Sequence, residues 1–124
     1  ILLPGMLYRQ EDHHGAAGYW SEVLGITHRA DARPSELSGG ELRRMAIARA
    51  MVGGPEVILA DEPTGDLDDE NTAIVFQSFR AAAQKGAAVF MVTHEMDALP
   101  FADFAWRMDG GEMTPVSLPE QNHV

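Results

Sequence analysis

An α/β fold with a parallel βαβ core is what this sequence predicts, and two observations carry the prediction. The first is a pair of short apolar runs, Val57 to Ala60 and Ala87 to Thr93, each of strand length and each ending at ionisable side chains, Asp61-Glu62 and His94-Glu95. The second is the stretch between them, Asp69 to Lys85, in which Ile74, Val75, Phe76, Phe79 and Ala83 fall at helical spacing and Gly86 supplies a stop. A strand, a helix and a strand in that order make two parallel strands joined by a right-handed crossover. The run from Val57 is bounded by Gly53-Gly54-Pro55 and Pro63, which suits a strand buried on both faces. Ligands of open parallel sheets collect at the carboxyl ends of the strands, so Asp61, Glu62 and His94 are expected together at one sheet edge.

The remaining elements follow in chain order. Ile1 to Leu7, broken by Pro4-Gly5, reads as an apolar strap, and Arg9 to His14 as a polar loop. His13 and His14 beside Asp12 read there as solvated side chains rather than metal ligands. From Gly15 to Leu24, Ala16, Tyr19, Trp20, Val23 and Leu24 keep helical spacing and Gly25 closes the helix, so Trp20 is a core residue. Ser38 is an N-cap with Glu41 at the capping-box position, opening a helix from about Glu41 to Met51 that Gly53-Gly54-Pro55 ends. Its alanines at 46, 48 and 50 permit close packing, and Arg43, Arg44 and Arg49 are expected to make a charged face. Asp66 to Asp69 is an acidic turn that favours the N-terminus of the next helix. Beyond His94 the sequence predicts a short helix from Glu95 to Phe101. A hairpin, Phe104 to Met108 and Met113 to Val116 around Gly110-Gly111, and a fraying tail follow.

The chemistry-bearing residues lie at element ends. Asp61 suits a hydrated Mg²⁺, a cation bound through one or two carboxylates and substrate phosphates. Glu62, pointing to the other side of the strand end, suits polarisation of a water for attack on a phosphoryl group. Alone, an Asp-Glu pair reads as an acidic loop behind a core strand. Gly39 and Gly40 leave backbone N–H groups unobstructed at the positive end of a helix, which is a phosphate-sized anion site. His94, at a strand end beside the carboxylate pair, is a candidate phosphate contact. The 124 residues carry 9 Lys and Arg against 19 Asp and Glu. Six of those acids lie between Asp61 and Glu70, a balance that argues against nucleic acid as the main partner. There is no cysteine for a disulfide or thiolate metal site, and no apolar run approaches the roughly 20 residues of a spanning helix.

Taken together these residues resemble a family. Leu37-Ser38-Gly39-Gly40-Glu41 resembles the signature motif of ATP-binding-cassette (ABC) ATPases, and Val57 to Pro63 resembles their Walker B strand with its catalytic glutamate. Asp66-Leu67-Asp68 is similar to the D-loop and His94 to the switch histidine, in the family's order and spacing. The wording Arg33-Pro34-Ser35-Glu36-Leu37-Ser38-Gly39-Gly40-Glu41 and Asp61 to Asp68 is most similar to the branch serving lipoprotein release and macrolide-type export. The resemblance implies a partial P-loop NTPase fold, with residues 1–52 a portion of the helical signature subdomain and 53–124 the C-terminal part of the ATPase core. It implies ATP and Mg²⁺ as ligands, with Asp61 reaching Mg²⁺ through water, Glu62 polarising the attacking water and His94 contacting the γ-phosphate. It further implies that Ser38, Gly39, Gly40 and Glu41 face ATP held by a second ATPase subunit in a head-to-tail dimer, that Asp68 couples the two sites, and that integral membrane transporter subunits are partners. The expected place is the cytoplasmic face of the inner membrane.

Two departures from the family pattern stand out. Glu41 is followed by Leu42-Arg43-Arg44 where the family commonly has a polar residue before the arginine, a departure expected to have a small effect because that position leaves the phosphate-facing turn. No Walker A motif occurs, since the only lysine is Lys85 between Gln84 and Gly86. The sequence therefore reads as the C-terminal half of an ABC ATPase, with residues for hydrolysis and without the P-loop that cradles the nucleotide. The alternative reading is a naturally short, non-catalytic module that docks on a transporter or offers its signature motif to another subunit. Without the P-loop strand, the Val57 and Val89 strands are expected to keep an uncovered edge and exposed apolar surface.

Overall fold

In the computed structural model residues 13–27 and 38–119 are described. They form α1 (His13–Val23), α2 (Gly39–Val52), β1 (Val57–Asp61), α3 (Asp69–Gln84), β2 (Ala88–Val92), a 3-10 helix (Met96–Phe101), β3 (Trp106–Asp109) and β4 (Glu112–Pro115). The strap predicted at 1–7, the loop ahead of His13, the 33–37 stretch and the last residues of the tail lie outside the described residues.

β1 and β2 pair in parallel, from Val57 opposite Ala88 to Asp61 opposite Val92, with α3 as the connection between them. The Glu62 N–H donates to the Val92 carbonyl at 2.8 Å, carrying the ladder one residue past the strand. On one face of this pair Ile58 packs with Val75, Phe79 and Ala82 of α3, Met45, Ala48 and Met51 of α2, and Trp20 and Leu24 from the α1 region. Leu24, Met51 and Phe76 are fully buried, each side chain stabilising the fold by roughly 1.5–3 kcal/mol.

The other face differs from the expectation of a strand buried on both sides. Val57, Leu59, Phe90 and Val92 are 59%, 77%, 61% and 52% exposed. The alternation inherent in a strand sends successive side chains to opposite faces. Among the described residues the helical core packs on Ile58 and leaves the odd-numbered side chains of β1 in solvent. The exposed apolar surface expected around these strands is thus present.

α1 begins at His13, two residues earlier than predicted, and its buried stripe is Ala17, Trp20, Ser21 and Leu24. Tyr19, assigned to the stripe from spacing, is 40% exposed; its ring packs edge-on against Trp20 and lies under the Lys85 ammonium. The helix closes as expected at Gly25, whose φ is +67°. Gly25 N–H donates to the Glu22 carbonyl and Ile26 N–H to that of Ser21, the paired bonds of a Schellman motif, and Ile26 is fully buried behind it. The last helical expectation, Glu95 to Phe101, forms as a 3-10 helix. In the antiparallel hairpin Met108 faces Met113 across Gly110-Gly111, both with positive φ as a two-residue primed turn requires, and β4 starts one residue earlier than predicted.

Gly25→Ala is expected to destabilise the protein by about 1–2 kcal/mol, the cost of a Cβ in the left-handed region. The new Cβ would also stand 3.3 Å from an Arg44 guanidinium nitrogen. An unchanged urea midpoint would show that this cap contributes nothing.

Candidate functional site

The register of β1 and β2 places the segment after Asp61 beside the segment after Val92. Glu62 leaves the strand with a φ of +47°, an uncommon backbone for a side chain of its kind, and this turn carries its carboxylate across to the end of β2. There both oxygens are engaged. Oε1 accepts from the His94 N–H at 3.0 Å and pairs with His94 Nδ1, while Oε2 accepts from the Thr93 hydroxyl at 3.2 Å. The same hydroxyl accepts from Glu95 N–H at 3.0 Å, so Thr93 pins the β2 end while it orients Glu62. Glu62 is partly shielded, whereas the His94 ring is almost wholly exposed, 96% for its side chain. Of the predicted strand-end residues, the structure therefore brings Glu62 and His94 into contact. Asp61 stands exposed at the end of β1.

The turn after Glu62 closes with Gly65 N–H donating to the Glu62 carbonyl at 3.2 Å. Against this turn lies Arg43 of α2. Its guanidinium donates to the carbonyls of Glu62 at 3.2 Å, Pro63 at 2.8 Å and Gly65 at 3.3 Å. Arg44, its neighbour, donates to the carbonyls of Gly40 and of Leu24 at the end of α1. The charged face predicted for Arg43, Arg44 and Arg49 is accordingly corrected. Arg43 and Arg44 are half-buried donors to main-chain carbonyls, and Arg49 is exposed. A signal for this was available in the spacing. Arg43 and Arg44 precede the buried Ile47 and Ala48 by one helical turn and so share their face.

At the start of α2 the capping box forms as predicted. Ser38 Oγ accepts from Glu41 N–H at 3.1 Å and a Glu41 carboxylate oxygen accepts from Ser38 N–H at 3.2 Å. Ser38 and Glu41 are thus engaged with each other, while the two glycines differ. A Cβ on Gly39 would meet nothing within 4 Å, whereas one on Gly40 would lie 3.3 Å from the Asn71 amide. Gly39 is the open position, and Gly40 is where α2 approaches the first turn of α3. Asp68 caps that turn, its Oδ1 accepting from both the backbone and the side-chain amide of Asn71 at 2.8 Å. Arg43, Thr93 and Asn71 escaped the sequence reading, because each acts on neighbours remote in the chain. Lys85 sits beyond the C-terminus of α3, over Tyr19, away from the strand ends.

A glutamate and a histidine at parallel strand ends, tied to a helix that opens on Ser-Gly-Gly, are the elements on which the resemblance to ATP-binding cassettes rests. The chain belongs to the ABC transporter family, whose sequence model matches residues 4–65, half of its length. It is 43% identical over 90 residues to the macrolide export ATP-binding/permease protein MacB of Chlorobaculum tepidum, a match spanning 73% of this chain and 14% of that protein. It is 40% identical to the glutamine transport ATP-binding protein GlnQ of Bacillus subtilis, over 98% of this chain and 51% of the relative. Among solved structures it is similar to the ATP-binding cassette MJ0796 in a dimeric post-hydrolysis state bound to ADP and Pi. That match has a TM-score of 0.71 and 30% identity, covering 86% of this chain and 47% of that one. The cassette MJ1267 matches with a TM-score of 0.71 and 27% identity, over 84% and 42% of the two chains. The chain thus has part of the ABC ATPase fold, a P-loop NTPase, and spans about half the length of GlnQ and of these cassettes.

Because Gly39 has open space around it and lies in helical backbone, Gly39→Ala is expected to leave the fold intact or to stabilise it by up to about 1 kcal/mol. Chemical denaturation checks this. A clear loss of stability would mean that the glycine is needed for packing rather than for an approaching ligand.

Proposed function

We propose that this chain supplies the hydrolytic carboxylate and the signature helix of an ATP-binding subunit that hydrolyses ATP to drive export or lipoprotein release through membrane partner subunits. The observation that carries the proposal is the Glu62 carboxylate, held on both oxygens by Thr93 and His94 at the ends of β1 and β2. In this reading Glu62 exchanges its contact with the His94 ring for the attacking water and takes its proton, and His94, exposed beside it, contacts the γ-phosphate. Thr93 and the His94 N–H keep the carboxylate aimed while the ring moves.

The residues fit a Mg²⁺ that is shared with nucleotide phosphates. Among the described residues no three His, Asp or Glu side chains gather as a metal site, so Asp61 would act as a single carboxylate, through water. Bound there, the ion would neutralise charge on the transferring phosphate. Among the described residues the phosphate cradle has no counterpart, and Lys85 is engaged over the Tyr19 ring, beyond the C-terminus of α3. At the signature end, Ser38, Gly39, Gly40 and Glu41 open the positive end of α2 towards ATP held by a second subunit, and Asp68 stands on the same side through Asn71 and Gly40. The dimeric state of the MJ0796 cassette supports a second ATPase subunit, which this reading arranges head to tail. The similarity to MacB supports the macrolide-export-like branch. In this reading the assembly sits at the cytoplasmic face of the inner membrane.

In the intact subunit Glu62→Gln is expected to lower ATP turnover by at least 100-fold while ATP affinity stays within about two-fold, an effect of the size general-base removal gives. Loss of nucleotide binding in step with turnover would make Glu62 a structural residue. Ser38→Arg is expected to abolish nucleotide-dependent dimerisation by filling the open end of α2. Gel filtration of the hydrolysis-deficient protein with ATP would contradict the signature assignment if the dimer still formed.

A further inference from the structure

The sequence marks Glu62 as the chemically active group, yet nothing on its own strand holds its backbone where it stands. Glu62 adopts a φ of +47° and Asp66 one of +65°, so the segment between β1 and α3 contains two non-glycine residues in the left-handed region. Such residues persist only when their surroundings over-determine them. Main-chain bonds tie Glu62 N–H to Val92 and Gly65 N–H to Glu62, and the remaining hold on the turn is Arg43, the side chain that donates to its carbonyls. Three carbonyls of one four-residue turn, those of Glu62, Pro63 and Gly65, converge on a single guanidinium at 2.8 to 3.3 Å. A guanidinium presents its donors in a rigid planar fork, so these bonds set the orientation of the turn as well as its position. Hydrogen bonds to a charged group are stronger than those between neutral groups, and three of them act together against the backbone strain.

We propose that Arg43 is a positioning residue for the reaction, fixing the Glu62–Gly65 turn and thereby the direction from which the Glu62 carboxylate meets the attacking water. The inference rests on the ATPase reading of Glu62. Arg43 touches no reacting atom in this role. It works through the peptide that carries the carboxylate, from a helix whose open end, at Gly39 and Gly40, lies one turn away. Thr93 and His94 grip the carboxylate itself and Val92 accepts from the Glu62 N–H, so β2 holds the side chain and the start of the turn while Arg43 of α2 holds the carbonyls that follow.

The test uses the intact ATP-binding subunit carrying Arg43→Met, which keeps an unbranched chain without donors, and Arg43→Lys, which keeps the charge. Steady-state ATPase kinetics are measured well below each variant's melting temperature. The expected result is a kcat lowered about ten-fold or more by Arg43→Met with the KM for ATP within two-fold of the parent, and an intermediate kcat for Arg43→Lys. A kcat within two-fold of the parent for Arg43→Met, or a KM that rises in proportion to the loss, overturns the inference. If Arg43→Met does not fold, Arg43→Lys decides by the same criterion of lowered kcat at unchanged KM. Glu62→Gln measured alongside separates the two failures. Full turnover in Glu62→Gln removes the catalytic role of Glu62 on which the inference rests, whereas loss of turnover there with parental kinetics in both Arg43 variants removes only the positioning role.

Discussion

The parallel register of β1 and β2 is the constraint on which the rest of the site depends. With Asp61 opposite Val92, the residues that follow each strand emerge side by side, and the left-handed turn at Glu62 then brings its carboxylate to Thr93 and His94. A slip by one residue would turn every side chain of the shifted strand to the other face, taking Ile58 out of the core and parting the strand ends. The register is therefore maintained by packing of Val75, Phe79 and Ala82 on the inner face, at a distance from the chemistry it serves. α3 thus does two things: it supplies the inner core, and through Asp68 and Asn71 it meets the start of α2.

Much of this was legible in the sequence because it is written in local punctuation. Glycine and proline bracket the strands, Ser38 and Glu41 announce the start of α2, Gly25 closes α1, and two glycines turn the hairpin. The candidate residues Glu62 and His94 followed from strand order together with the family resemblance, and the structure brings them into contact. What escaped was whatever depends on partners distant in the chain. Spacing placed Tyr19 in the buried stripe and missed Ala17, because a helix stripe one residue askew satisfies the same periodicity. Arg43 and Arg44 looked like a charged face, since arginine identity suggests solvent and only the tertiary arrangement supplies carbonyls to bind. The left-handed backbone of Glu62 had no sequence mark at all, as glutamate has no preference for it.

The uncovered face of the β1–β2 pair has a different origin. A parallel strand is apolar on both sides because it ordinarily has cover on both sides, and composition reports that habit rather than the cover present. Val57, Leu59, Phe90 and Val92 keep the composition, and helices pack on one side of the described sheet. The apolar run was read correctly as a strand, while its surroundings could not be read from the run itself.

The grip of Arg43 also bears on which neighbouring positions are free to change. A guanidinium that binds carbonyl oxygens is indifferent to the side chains those peptides carry, so its hold on 62–65 imposes no direct requirement on residue type at 63 or 65. What it does require is a fixed number of peptides between the glutamate and the last carbonyl. Insertion or deletion of a single residue in this turn would break the match of fork to carbonyls where many substitutions would not. The spacing from Glu62 to Gly65 is in this sense a stricter inheritance than the letters that fill it.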